Sequence, residues 1–263
     1  MRKDGFAMII SVDATTDFLG SINQMSADNP FACRIISMYK SYKPGLAFVD
    51  YWLIMDHSLR YTGAIARNGS VFVLYLTDLS DLEEVSAFMR VSGASGIICD
   101  GKYPLDFFGK KPKTGVIMSL SEASGEPDGN YIIEEPGIRE AYYLIVRCAD
   151  RNFKPPCFED FYVDVNHKLR HKTMRMYGVR VRKRLVAVAM TVAESREGAV
   201  LGAVACDPEY RKSGYGSAVV KYISNRIIAD GKTVYIHRAK NANERFYDKL
   251  GFAEYGSWSE YYN

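Results

Sequence analysis

Ala199-Val-Leu-Gly-Ala-Val-Ala-Cys-Asp-Pro-Glu-Tyr-Arg-Lys-Ser-Gly-Tyr-Gly-Ser-Ala-Val-Val220 is the stretch whose reading decides the fold. Ala199 to Cys206 is an apolar run of strand length, and Asp207-Pro208 stops it because proline cannot donate to a central ladder. After a turn holding Arg211, Gly214 and Gly216, the residues Tyr215, Val219, Ile223 and Ile227 recur every fourth position as far as Asp230-Gly231, a glycine-capped helix end. The order is strand, glycine-rich turn, helix. The first N–H groups of a helix lack internal partners and carry partial positive charge, so such a junction suits phosphate. Gly214 and Gly216 let backbone amides approach closely, Arg211 and Lys212 add cationic donors, and no carboxylate lies between Glu209 and Asp230.

At Arg211-Lys212-Ser213-Gly214-Tyr215-Gly216 the chain resembles the GNAT superfamily of acyl-CoA-dependent N-acyltransferases, whose loop reads Arg/Gln-x-x-Gly-x-Gly/Ala after a strand and a proline. Asn243-Glu-Arg-Phe-Tyr-Asp-Lys-Leu-Gly-Phe252 resembles a second family element, a short helix ending in Tyr-x-x-x-Gly-Phe. The resemblance spans the later half and implies an α/β (α+β) GNAT fold, a mixed, mainly antiparallel sheet flanked by helices. It implies acetyl-CoA (CoA) as acyl donor and no metal. The diphosphate falls to the amides of Arg211, Lys212, Ser213, Gly214, Tyr215, Gly216 and Ser217, with Asn243 as a further cofactor contact. Free backbone groups of Val204, Ala205 and Cys206, on a strand that splays from its neighbour, would pair the pantetheine arm and polarise the thioester. Tyr247 matches the general acid.

Acyl transfer from a thioester to an amine needs a held cofactor, a polarised carbonyl, a neutral amine and a protonated leaving thiolate. A phenol of pKa about 10 stays protonated at neutral pH and protonates a thiolate of thiol pKa about 8.5 only slightly uphill. The plainer reading of Tyr247 is a packing tyrosine with a satisfied hydroxyl. An alkylammonium of pKa about 10.4 gives up its proton at pH 7 at roughly 4.6 kcal/mol, so a base or water chain is expected. No carboxylate occupies Ala199–Cys206. His237 and Glu209 are the candidate bases, and a solvent-facing His237 is the plainer reading. The Tyr247 helix is expected to start at Asn241, with Glu244 closing a capping box and Phe246 and Leu250 packing.

Working outward, 263 residues suggest two domains, divided at the turn-rich connector Ser121–Asn130 into 1–125 and 126–263. The first holds 12 Lys and Arg against 13 Asp and Glu, the second 22 against 18, so the later half is electropositive. Five scattered cysteines, never spaced C-x-x-C, fit reduced thiols in a cytoplasmic protein. The start, Met1 to Val12, has basic residues before a short apolar run. Lacking a small-residue cleavage site, it reads as a buried first strand rather than a signal peptide, and no run suits a transmembrane helix.

Two short helices are expected in 14–42, then strands Ala47–Met55, Tyr61–Arg67 and Val71–Thr77, the last two joined by the hairpin pair Asn68-Gly69. A helix from Ser80 to Val91 and strands Gly96–Cys99 and Val116–Leu120 follow. The later half reads as strand Tyr131–Glu134, helices Ile138–Cys148 and Glu159–Thr173, and strands Met174–Val181, Leu185–Ala193 and Ala199–Cys206. The glycine-turn helix, strand Thr233–His237, the Tyr247 helix and a last strand Ala253–Tyr262 close that half. Element order makes the first half a second, degenerate copy, two such domains in tandem. Its matching junction, Thr77-Asp-Leu-Ser-Asp-Leu-Glu-Glu84, has no glycine loop and carries four carboxylates, a stable helix start that repels anions.

His167 and His171, four apart, lack an evident third metal ligand and read as a solvated face. Eight Lys and Arg between Val165 and Ala193, with no acid, would attract an anion or form a solvated surface. Nucleic acid and membrane are not expected as partners; the expected one is an amine acceptor, small molecule or peptide, and a homodimer is admissible. Cys206 reads as a small hydrophobe. A dinucleotide fingerprint fails, because seven residues separate Cys206 from Gly214 and position 219 is valine. The rival from another class is a non-catalytic CoA-binding or interaction module.

Overall fold

The computed structural model describes residues 8–25, 28–123, 125–127, 129, 131–149 and 154–263. Residues 1–7 of the expected first strand and positions 124, 128 and 130 of the connector lie outside the described residues. The chain forms two compact units, Met1–Ile117 with Tyr255–Asn263, and Met118–Glu254. No helix among the described residues is long and apolar enough to cross a membrane.

The first unit contains β1 (Met8–Ser11), α1 (Phe18–Asn23), α2 (Pro30–Ser41), β2 (Val49–Met55), β3 (Tyr61–Asn68), β4 (Val71–Leu76), α3 (Leu82–Val91) and β5 (Gly96–Asp100). β6 (Lys113–Leu120) runs across the division between units. The second unit repeats the order with β7 (Ile132–Glu134), α4 (Ile138–Arg147), α5 (Phe158–Arg170), β8 (Met176–Val181), β9 (Arg184–Glu194), β10 (Gly198–Cys206), α6 (Tyr215–Ala229) and β11 (Thr233–Ala239). The short helix α7 (Glu244–Asp248) and β12 (Ala253–Tyr262) end the chain. Both units therefore run strand, two helices, three strands, helix, strand.

Strand pairing repeats as well. In the first unit β1, β2, β3 and β4 pair antiparallel in sequence order, and β4 joins β5 in parallel from Val71↔Gly96 to Val73↔Ile98. In the second, β7, β8, β9 and β10 pair antiparallel, and β10 joins β11 in parallel from Gly198↔Thr233 to Leu201↔Ile236. The tandem of mixed, mainly antiparallel sheets is thus present. The Asn68-Gly69 turn closes the β3–β4 hairpin with Gly69 at φ +61°, a conformation glycine adopts without strain.

Two expectations change. The first strand is not buried: Met8 is exposed and β1 sits at a sheet edge with β2 its recorded neighbour. The last strand does not complete the later half, for Trp258 to Tyr262 pair antiparallel with Asp100 to Gly96 of β5. Alternation explains that choice: Tyr261 enters the first unit's core beside Phe72, Ile97 and Phe107, and its hydroxyl accepts the Leu105 amide at 2.9 Å.

In the second unit, α4 and α5 cover one sheet face. Ala141, Leu144, Ile145, Phe161 and Val165 pack on Met176, Leu185, Val188, Met190 and Ala205. The other face receives α6, whose Ala218, Val219, Val220, Ile223 and Ile227 are buried. Burying a Val or Ile side chain contributes about 1.5–3 kcal/mol, so this face anchors α6 firmly and with it the N-terminal tip.

Candidate active site

The site is built where β10 stops behaving as a regular strand. Its parallel pairing with β11 ends at Leu201↔Ile236, although β10 runs on to Cys206 and β11 to Ala239. On the β9 side, Gly202 faces Met190 and Ala205 faces Val188, three steps against two, so one extra residue is inserted. Ala203 takes up that bulge with φ +45°. The strand bends there, and Val204 lies at the bend between the paired Gly202 and Ala205.

Beyond the strand, Asp207 anchors the loop. Its side chain is buried, accepts the Glu209 amide at 3.1 Å, and forms ion pairs with Arg147 and Arg184. Burial would push this carboxyl up, but the Glu209 amide and the two guanidinium groups outweigh it and hold the carboxyl below its ordinary range. A short 3-10 turn, Pro208–Tyr210, then turns the chain toward the helix.

Lys212 at φ +64° and Gly214 at φ +83° deliver the backbone to the N-terminus of α6. Gly214 is the N-cap, with no side-chain cap hydrogen bond and no acid in the first turn. No N-cap side chain takes up the tip amides, although the Gly216 amide meets the Cys206 sulfur, and an anion is a natural acceptor for such donors. Gly216 lies against Cys206 and Phe246: a Cβ there would meet the Cys206 Cβ at 3.7 Å and the Phe246 ring at 3.9 Å. These contacts bring together the strand end, the helix tip and α7. Arg211 is exposed, and its Nε donates to the Cys206 carbonyl at 3.2 Å, where the Cys148 thiol also donates at 3.3 Å. Burial pushes the Cys206 thiol up against the opposing pull of Arg211, which keeps it a thiol rather than a nucleophilic thiolate.

Tyr247 is only 5% exposed and packs edge-on against Phe246 and Phe252, with ring centroids 5.0 and 5.6 Å away. Burial alone raises its pKa, and its hydroxyl makes no hydrogen bond among the described residues. The hydroxyl oxygen is not among the solvent-shielded polar atoms that lack a partner, so water or a ligand can reach it. It stays protonated through neutral pH, although desolvation makes the proton harder to release.

The N-terminus of α7 departs from expectation. Asn243, not Asn241, is the N-cap; it is left-handed at φ +56° and makes no side-chain cap bond. Glu244 is therefore the first helical residue and points to Arg238 at 3.5 Å, so no capping box forms. Asn243 itself is exposed.

The candidate bases part company. The register Val200↔Tyr235 puts His237, two residues on, on the face of β11 that Tyr235 shares with Val200, past the point where β10 and β11 separate. Both His237 ring nitrogens are shielded from solvent, against the solvent-facing expectation. Glu209 is exposed and held by Arg184 at 3.0 Å.

The basic run is partly engaged. Arg175 pairs with the buried Glu194 and with Asp230, Arg180 with Glu134 and Glu140, Arg184 with Asp207 and Glu209, and Lys168 with Asp164. Ion pairs with Asp164 and with acids distant in sequence thus engage four of its eight cations. The His167 and His171 rings lie tilted with centroids 4.1 Å apart, and no cluster of three metal-ligating residues occurs among the described residues. Sequence spacing missed Tyr131, whose hydroxyl lies 2.6 Å from where a Gly214 Cβ would sit.

Residues 176–262 match the model of the FR47-like protein family. Among solved structures, the chain is similar to a tandem GNAT protein from the clavulanic acid biosynthesis pathway, solved without AcCoA (TM-score 0.59, 13% identity, 97% of each chain covered). It is also similar to a GCN5-related N-acetyltransferase from Sphaerobacter thermophilus (TM-score 0.56, 11% identity, 97% of this chain and 94% of that one). A third is an acetyltransferase of the GNAT family from Colwellia psychrerythraea (TM-score 0.54, 12% identity, 97% of this chain and all of that one, 100%). No curated protein matches the sequence. With its twice-repeated order of elements, its two parallel joins and these likenesses, the chain has the tandem GNAT fold and carries FR47-like sequence in residues 176–262.

Proposed function

We propose that the protein is an N-acyltransferase that moves an acetyl group from acetyl-CoA directly to a primary amine on a small molecule or peptide. The observation that carries this reading is the α6 tip: an uncapped helix start at Gly214, free of acids in its first turn, beside a bulged strand that has left its parallel neighbour. The residues present suit a CoA thioester. The tip amides from Lys212 to Ser217 would receive the diphosphate, and the β10 edge around Val204 would orient the arm toward α7. Catalysis is assigned to the later half and none to the first, whose helix start carries its own acids.

In this reading the amine nitrogen attacks the thioester carbonyl carbon, the C–S bond breaks, and sulfur leaves with the electron pair. Tyr247 gives the sulfur its proton. Burial makes that transfer uphill for the phenol in isolation, but a thiolate brought beside it would lose hydration too, and the two penalties would offset. His237 stands on a sheet face past the separation of β10 and β11 and is the better of the two candidate bases, since Glu209 is engaged by Arg184.

The test is thioester consumption with acetyl-CoA against a panel of amines, alongside calorimetry with CoA. Acetylated product with a measurable CoA affinity supports the reading. Heat of binding without turnover on any amine supports the non-catalytic module instead, and no heat at all removes both.

A further inference from the structure

Tyr131 precedes β7 and is fixed on both sides, its amide donating to Gly129 at 3.1 Å and the next residue, Ile132, pairing with Arg180. Its ring meets Tyr215 edge-on, with centroids 5.7 Å apart, so the phenol lies against the first residue of α6. The hydroxyl is 2.6 Å from the position a Gly214 Cβ would take, which puts it within about 4 Å of the Gly214 Cα. Among the described residues other than its two chain neighbours, no other side chain comes within 4 Å of that position. Gly214 is thus glycine for two separate reasons: its left-handed backbone, and room for a phenol oxygen over the helix tip. The hydroxyl has no hydrogen-bond partner among the described residues.

We infer that Tyr131 is a cofactor-contacting residue, its hydroxyl donating to a diphosphate oxygen of the acyl-CoA held at the α6 tip. This rests on the acyl-CoA reading above. A diphosphate presents more acceptor oxygens than the tip amides alone can serve, and a phenol adds a donor without adding charge. The aromatic contact with Tyr215 aims the ring, so the hydroxyl reaches the anion with little rotamer freedom left to lose.

Tyr131→Phe keeps the ring and its packing and removes only the hydroxyl. Calorimetry on the full chain should show CoA binding about tenfold weaker than in the unaltered protein, with inorganic diphosphate displacing CoA about tenfold less readily and an unchanged Tm. A Tyr131→Phe protein that binds CoA as tightly as the original overturns the inference and leaves the acyl-CoA reading standing. A loss of CoA affinity with diphosphate unaffected also overturns it, because the phenol would then touch some other part of the ligand. An unaltered protein that binds no CoA overturns both.

Discussion

The two units place a helix at the same point in their order, after the third of three antiparallel strands, and the two helix starts are built oppositely. At α3 the N-cap Asp81 accepts the amides of Glu83 and Glu84 at 3.0 and 3.1 Å, and those two residues bring carboxylates into the first turn. At α6 the N-cap is left-handed Gly214, with no side-chain cap and no acid. The first start has satisfied its own amides and surrounded them with negative charge, which stabilises the helix and turns anions away. The second has no side chain of its own over these donors and no negative charge beside them. The loop after β5 extends the contrast: Leu105 and Phe107 share one core cluster with Leu74, Leu76 and Cys99, so the first unit packs its own side chains beside β4 and β5. One architecture thus supports either self-sufficiency or a binding site, and a few residues at the helix tip choose between them.

The comparison breaks most severely if α6 is given the chemistry of α3. Gly216→Glu with Ser217→Glu puts carboxylates at the helix positions that Glu83 and Glu84 occupy. CoA affinity measured by calorimetry should fall by at least about 10²-fold, while thermal melting shows a helix no less stable, since acids favour an N-terminus by about 0.3–1 kcal/mol each. Loss of CoA binding together with a collapse in Tm would instead mean that the glycine is needed for packing.

Tyr247→Phe comes next. Turnover should drop by about 10²-fold with CoA affinity little changed, which separates an acid from a mere wall of the pocket. The pH profile sharpens the same point. Because burial raises the Tyr247 pKa above its ordinary 10, the phenol keeps its proton as pH rises, so kcat should show no falling limb from this group below pH ~10. The rising limb belongs to the amine and its base, and His237→Gln should flatten or shift it if His237 serves there.

The smallest effect belongs to the first unit. Asp81→Ala removes the cap of α3 and should cost about 1 kcal/mol, read as a Tm shift of a few degrees, with no gain of CoA affinity and no change in turnover. A rise in CoA binding would show that the cap alone had closed a latent site.

Legibility followed the range of the interaction. The Gly214 turn, the α6 stripe, the acidic α3 start and the Asn68-Gly69 hairpin were readable because caps, turns and periodicity are settled within a few residues. The α7 cap lies two residues past the expected Asn241, since Asn241 and Asn243 are chemically alike and both are left-handed here, at φ +61° and +56°. The charge run Lys168–Arg184 looked unopposed along the chain because its partners Glu134, Glu194, Asp207 and Asp230 stand elsewhere in the sequence.

The order of elements, the tandem repeat and the unequal helix starts follow from the sequence by itself, for each rests on side chains acting on their own or neighbouring backbone. Only the tertiary structure decided that β12 pairs with β5, that Ala203 bulges, that Arg175, Arg180 and Arg184 find acids far along the chain and that Tyr131 reaches Gly214. A strand offers the same row of donors and acceptors to any neighbour, and a side chain's reach carries no record of what the fold will bring beside it, so these choices belong to packing of the whole chain.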